Sequence, residues 1–117
     1  MDVRLKNVSQ LAGFTKKDDL AFFCRELAGI EYVHEPALSP TDDILKAYKK
    51  KEMSWDQYES QFLALLTERR VEDRLAQQSF ESLTVLLCSE PEPKHCHRRL
   101  VAEYLRDKWG SIQIRHL

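Results

Sequence analysis

Glycine is too scarce and too scattered in this chain to build a phosphate-binding loop. The three glycines among 117 residues are Gly13, Gly29 and Gly110. A Walker loop or a dinucleotide fingerprint needs glycines clustered where backbone closes on a phosphate, so both are excluded. No apolar run approaches the length that spans a bilayer, so no membrane segment is expected. Nothing at the start reads as a secretory signal, and with three cysteines a disulfide framework is not expected. Those two absences together predict a reducing, cytoplasmic setting. Charge of one sign is also lacking: the net charge of −1 gives no general pull toward nucleic acid or acidic lipid. What remains is ordinary for a soluble globular protein, 43% apolar and 32% charged, and 117 residues predict one domain over 1–117.

The punctuation predicts helices separated by strands. Thr15 with Asp18 resembles a capping box, opening a helix with Leu20, Phe23, Cys24 and Leu27 on one face and Gly29 beyond its end. Ile30 to His34 alternates as a short strand does, and Pro36 and Pro40 bracket the turn after it. Ser39 is expected to cap a second helix with Pro40 at its first position, ending in Lys49-Lys50-Lys51. Ser54 and Gln57 form a capping box for a third helix, whose stripe of Trp55, Tyr58, Phe62, Leu65 and Leu66 reads as core. Residues 70–80 read as helical, though weakly patterned. Leu83 to Cys88 is a continuous apolar run, as in a strand covered on both faces. Pro91 and Pro93 break it, a helix runs to about Trp109, Gly110 ends that helix, and Ser111 to His116 reads as a last strand. The alternation predicts an α/β fold, a small parallel sheet layered with helices.

The chemistry is concentrated between residues 87 and 99. Leu87-Cys88-Ser89-Glu90 ends the apolar run, and Cys96-His97-Arg98-Arg99 opens the last helix. Thiol, imidazole, carboxylate and guanidinium are the groups that make nucleophiles, acids and bases, metal ligands and anion clamps. Here they are gathered where a strand hands over to a helix.

The Leu-Cys-small-Glu and Cys-His-Arg segments resemble a bacterial and archaeal family known as domain of unknown function 488. Further echoes are Asp2-Val3-Arg4, Gly13-Phe14, Gly29-Ile30-x-Tyr32 leading to Pro36 and Leu38, and Ile114-x-His116-Leu117, so the resemblance spans nearly the whole chain. Members of that family carry roughly 25–35 residues before the Asp-Val-Arg motif, about one strand–helix–strand unit. The expectation is therefore that an N-terminal strand–helix unit is missing here. The resemblance implies a fold and candidate residues rather than a reaction.

In an open parallel sheet, ligands sit beyond the carboxyl ends of strands, which would gather Arg4, His34, Glu35, Cys88, Glu90 and His116 at one edge. On the last helix, Leu100, Val101, Tyr104 and Leu105 define the buried face. At 100° per residue His97 lies near its centre, Cys96 and Arg98 flank it, and Arg99 points to solvent. Cys96 falls in the first turn, where the helix dipole lowers a thiol pKa. Each residue also has a plain structural role open to it. Cys24 and Cys88 suit a core, His97 suits a locally paired imidazole, and Arg98 suits an ion pair with Glu90.

Several chemistries follow. A phosphatase or sulfurtransferase cradle is disfavoured, because Glu90 and Glu92 repel an anion, Pro91 and Pro93 remove N–H donors, and Lys94 stands where an Arg is needed. A thiol enzyme would use Cys96 or Cys88 as nucleophile and His97 as base, with Arg98, Glu90 and Arg4 holding a small anionic substrate. A zinc site on Cys88, Cys96 and His97, with His95, His34 or His116 added, is an alternative, although Cys-x7-Cys-His matches no standard knuckle. The last alternative is a non-enzymatic module binding a protein or nucleic acid, the latter through Lys49–Lys51 and Arg69-Arg70. No cofactor is named by the sequence. A sheet short of one strand would leave an edge open to self-association.

Overall fold

A computed structural model describes residues 1–5, 17–75, 77–80, 83–90 and 94–116. The Thr15 cap, the Gly13-Phe14 turn and the Pro91–Pro93 break lie outside them. The chain runs through α1 (Lys17–Ala28), a 3-10 turn (Pro36–Leu38), α2 (Asp42–Lys49), α3 (Trp55–Arg69), α4 (Val71–Arg74), a second 3-10 turn (Gln77–Phe80) and α5 (His97–Trp109).

The expected parallel sheet is not found among the described residues. Among the described residues no segment forms a strand, and pairing is limited to two isolated parallel bridges, Asp2 to His34 and Asp2 to Leu87. Their hydrogen bonds are real but few: Asp2 N donates to Val33 O, Glu35 N to Asp2 O, Val3 N to Leu87 O and Leu87 N to Met1 O. The apolar runs misled because an apolar residue counts toward a sheet only when something covers it. Leu83 is 97% exposed and Val85 and Ile30 are more than half exposed, so neither run is buried on two faces. On the C-terminal side of His34 the chain turns at once into the Pro36–Leu38 turn, where Pro36 has no N–H to give. Residues 111–116 form no bridge. The sheet edge invoked for self-association goes with the sheet.

Helices carry the core instead. Packing centres on α3, which contacts α2, α5 and the first 3-10 turn, while α4 leans on α5. Tyr58, Phe62 and Leu66 from α3 meet Leu100, Val101 and Leu105 from α5, with Val3, Leu38 and Val71 closing the cluster. Each fully buried aliphatic or aromatic side chain there contributes about 1.5–3 kcal/mol by removal from water. The spacing of four between Tyr58, Phe62 and Leu66 is what puts them on one face.

Local signals set the helix ends. The α3 capping box forms in full: Gln57 N donates to Ser54 Oγ at 3.2 Å and Ser54 N to Gln57 Oε1 at 2.9 Å. The start of α2 falls two residues later than expected. Ser39 spends its hydroxyl on Pro36 O, so Thr41 becomes the cap, accepting from Ile44 N. Gly110 at φ 80° ends α5 as its position predicts. Cys24 is only half-buried, not core. Arg69 reaches back from the end of α3 to donate to Ala37 O and Ser39 O, tying the first 3-10 turn to the helix. No helix among the described residues is long and apolar enough to cross a membrane.

Candidate functional site

Cys88 converges with Cys96 and His97. Leu87 is pinned to the N-terminal segment by its backbone bonds to Met1 and Val3. That fixes Cys88, one residue on, beside the start of α5. Cys96 is the N-cap of α5, extended at φ −137° and ψ 137°, and its carbonyl accepts from Arg99 N. Its side chain makes no cap hydrogen bond. His97 opens the helix on its inner face and is 6% exposed, where the helical periodicity places it.

Three atoms define the centre. Cys88 Sγ lies 3.6 Å from His97 Nδ1. His97 Nε2 lies 2.7 Å from the carbonyl oxygen of Val3 and donates to it, since a carbonyl can only accept. The proton on Nε2 is thereby assigned, and Nδ1 is the nitrogen left to exchange a proton with the thiol. The ring is held in place by Phe62, edge-on at 5.7 Å between centroids. Cys96 Sγ completes the group: the ligand atoms of Cys88, Cys96 and His97 all lie within 4.8 Å of one another.

The two thiols are pushed in opposite directions. The S–H of Cys96 donates to Cys88, and with the His97 imidazole and the Glu90 backbone N–H it outweighs burial, pulling the Cys88 thiol down to about 4. Cys96 is pushed up, first by its hydrogen bond to Cys88 and then by burial. The helix dipole expected to activate Cys96 is overridden, because a donor to a thiolate cannot readily lose its own proton. Burial and the neighbouring Cys88 also raise the phenol of Tyr58.

Arg4 is brought to the site but is already committed. It forms a buried ion pair with Asp2, Nη2 to Oδ2 at 2.8 Å and Nε to Oδ1 at 2.9 Å, and the Tyr32 hydroxyl also donates to Asp2. Burial alone would raise the Asp2 carboxyl, but the hydrogen bonds from Arg4 and Tyr32 win and hold it below its usual range. His34 Nε2 meets the Arg4 carbonyl at 2.9 Å. Arg98 donates to the backbone oxygen of Glu90 at 2.7 Å, so it braces the 90–98 loop through a carbonyl rather than the carboxylate. Arg99 is not the solvated charge expected. It is about one-quarter exposed, sits between Glu59 and Glu103, and lies over the Trp55 ring. His116 is exposed, and His95 lies tilted against Trp55, 5.0 Å between ring centroids, rather than joining the thiols.

A cleft of about 540 Å³ opens over this group, with Arg4, Cys88, Ser89, Glu90, His95, Cys96 and His97 on one side and the α2–α3 corner on the other. Sequence reasoning missed two of its parts. The Val3 carbonyl is a backbone atom, which no side-chain pattern reveals. Trp55 lines the cleft although it belongs to the stripe that reads as core, and Tyr48, from α2, joins it there. The available hint was position, since Trp55 is the first residue after the Ser54 cap, at a helix end where one flank meets solvent.

The chain belongs to the family described as Domain of unknown function DUF488, which it matches over residues 1–105. No curated protein and no solved structure matches it.

Proposed function

We propose that the protein is a thiol-dependent enzyme in which Cys88 is the nucleophile and His97 its proton partner, acting on a small anionic substrate held in the cleft. The observation that supports this reading is the 3.6 Å approach of Cys88 Sγ to His97 Nδ1 while Nε2 is fixed on Val3 O. That is the nucleophile–base–orienter relation, with a backbone carbonyl as the third member. The Cys88 thiolate would bond to the electrophilic centre, and the leaving group would depart with the proton from His97 Nδ1. Water would then release the bound group, returning its proton to Nδ1 and the electron pair to sulfur. Cys96 would act as a donor to the thiolate, and Arg98 and Glu90 would hold the loop. Arg4 would present its charge through a guanidinium that Asp2 already orients.

Competition alkylation tests it. Cys88 should react with iodoacetamide well ahead of Cys24 and Cys96, read by mass spectrometry of the labelled peptides. Equal labelling of Cys88 and Cys24 would sink the proposal.

One observation favours a second reading. Two sulfurs and one nitrogen within 4.8 Å, with the far nitrogen of the imidazole on a carbonyl, also suit a soft divalent cation such as Zn²⁺. Native and denaturing mass spectra of protein purified without chelator separate the two. A mass excess of one zinc lost on denaturation would make the trio ligands, and a bare chain would leave Cys88 free to react.

A further inference from the structure

The Lys49-Lys50-Lys51 run and the α3 aromatics belong to one place. Lys49 and Lys51 line the same cleft as Cys88, on the wall built by Tyr48 and Trp55. Other cations have partners: Arg4 pairs with Asp2 in the interior, and Lys46 with Asp42 and Arg70 with Asp73 on the surface. Among the described residues Lys49 and Lys51 have no ion pair, and Glu90 is the single carboxylate in the lining. The α2–α3 side of the cleft thus brings two lysines and, among the described lining residues, no carboxylate.

The wall is aromatic at close quarters. Tyr48 and Trp55 rings are 5.7 Å apart edge to face, and Trp55 stacks with Tyr58 at 5.0 Å. His95 extends the cluster to the rim. Trp55 is itself covered by Tyr58, His95 and Arg99, so a flat ring would meet this wall at its aromatic edges, a geometry that aromatic pairs favour.

Lys51 owes its place to the end of α2. It is the residue just past the C-cap, at φ 61°, and closes the helix as a Schellman turn in which Glu52 N donates to Ala47 O and Lys51 N to Tyr48 O. Glycine is at ease at that φ, so the position tolerates loss of the lysine side chain without loss of the turn. That turn sets Lys51 in the lining of the cleft.

We propose that the cleft is a nucleotide site, its base against the Tyr48–Trp55 wall and its phosphate on Lys49 and Lys51, with the nucleotide free or at the end of a strand. A flat ring and an anion side by side are what the lining selects, and a volume of about 540 Å³ is of the size that takes such a ligand. This rests on the reading that Cys88 is the reacting group, for which it names the class of substrate.

The test is titration calorimetry on the Cys88→Ser protein, in which turnover cannot obscure binding. The probes are the four ribonucleoside monophosphates, the matching nucleosides, inorganic phosphate and a 5′-phosphorylated trinucleotide. At least one monophosphate should bind saturably and more tightly than its nucleoside or phosphate alone. Lys51→Gly should weaken that monophosphate about tenfold, the effect of losing one charge-assisted contact, and leave the nucleoside unchanged. The same variant should melt no lower than the parent, because glycine suits φ 61°, so the loss is not one of folding. A trinucleotide that binds as tightly as the monophosphate points to strand ends, and a weaker one to free nucleotides. Failure of every monophosphate and of the trinucleotide to bind, or binding indifferent to Lys51→Gly and Lys49→Ala, overturns the proposal. Binding together with an unreactive Cys88 in the native chain upholds the nucleotide site and removes the thiol reading, and a reactive Cys88 without binding removes the nucleotide site alone.

Discussion

Cys88 Sγ stands 3.6 Å from His97 Nδ1 because the N-terminal segment holds both ends of the pair. Leu87 exchanges backbone hydrogen bonds with Met1 and Val3, and the carbonyl of the same Val3 accepts the hydrogen bond from His97 Nε2. Residues 1–3 thus fix the thiol through its neighbour and the imidazole directly.

The first prediction concerns the order of the thiols. With the Cys88 thiol drawn down to about 4, its alkylation rate should be nearly flat from about pH 8 to about pH 6. An ordinary cysteine, near 8.5, slows about tenfold per pH unit below its pKa. Cys96→Ser removes the strongest donor to the thiolate, so the fall should move to higher pH. A Cys88 profile that matches that of Cys24 would contradict the geometry.

How much of this was legible beforehand depended on what kind of atom carried the information. The capping box at Ser54 and Gln57 formed because both partners lie within one helical turn, and local chemistry decides the matter. The inward aim of His97 followed from the 100° step along α5 in the same way. The parallel sheet did not form, because Leu83 and Val85 have an apolar pattern but no covering layer, and composition cannot say what lies above a residue. The activation of Cys88 over Cys96 was invisible for a related reason. It depends on which of two thiols donates to the other, a relation across seven intervening residues that the helix dipole argument did not contain.

His97→Ala should damage both stability and reactivity. It leaves the Val3 carbonyl buried without its donor, which costs about 1–3 kcal/mol, and it removes the edge contact with Phe62. The urea midpoint should fall accordingly with the slope unchanged. Alkylation of Cys88 at about pH 6 should slow in the same variant. A variant that keeps its midpoint would show that the Val3–His97 bond is not made in solution.

Breaking the Asp2–Arg4 pair should be the costliest of these changes. Asp2 is fully buried, and Arg4→Met would leave its carboxylate without its main donors, a loss of about 3–5 kcal/mol. Asp2→Asn combined with Arg4→Met should recover much of that loss, because no charge is then stranded. The readout is the denaturation midpoint of the single and double variants. A double variant no better than the single would mean that packing, not charge, governs the site.

The paired thiols also predict a stability profile with a sign. The Cys88 pKa is depressed on folding, from the ordinary thiol range to about 4, so the folded chain binds fewer protons than the unfolded chain between those values. Stability from Cys88 is therefore complete above about pH 9, declines as pH falls and is gone below about pH 4. Cys96 moves the other way: its pKa is raised, so its contribution is complete below the ordinary thiol value and is lost as pH rises past it. Together they give a contribution that climbs through neutral pH and turns down in alkali. Carboxylates such as Asp2 add their own rise at low pH, so the thiols must be isolated by difference. Urea midpoints of the native chain and of Cys88→Ser should diverge as pH rises from about 5 to about 8, since serine has no proton to lose in that range. A gap that stays constant over that interval would mean that Cys88 is protonated in the folded protein, and the thiolate would then have to be abandoned as the reacting species.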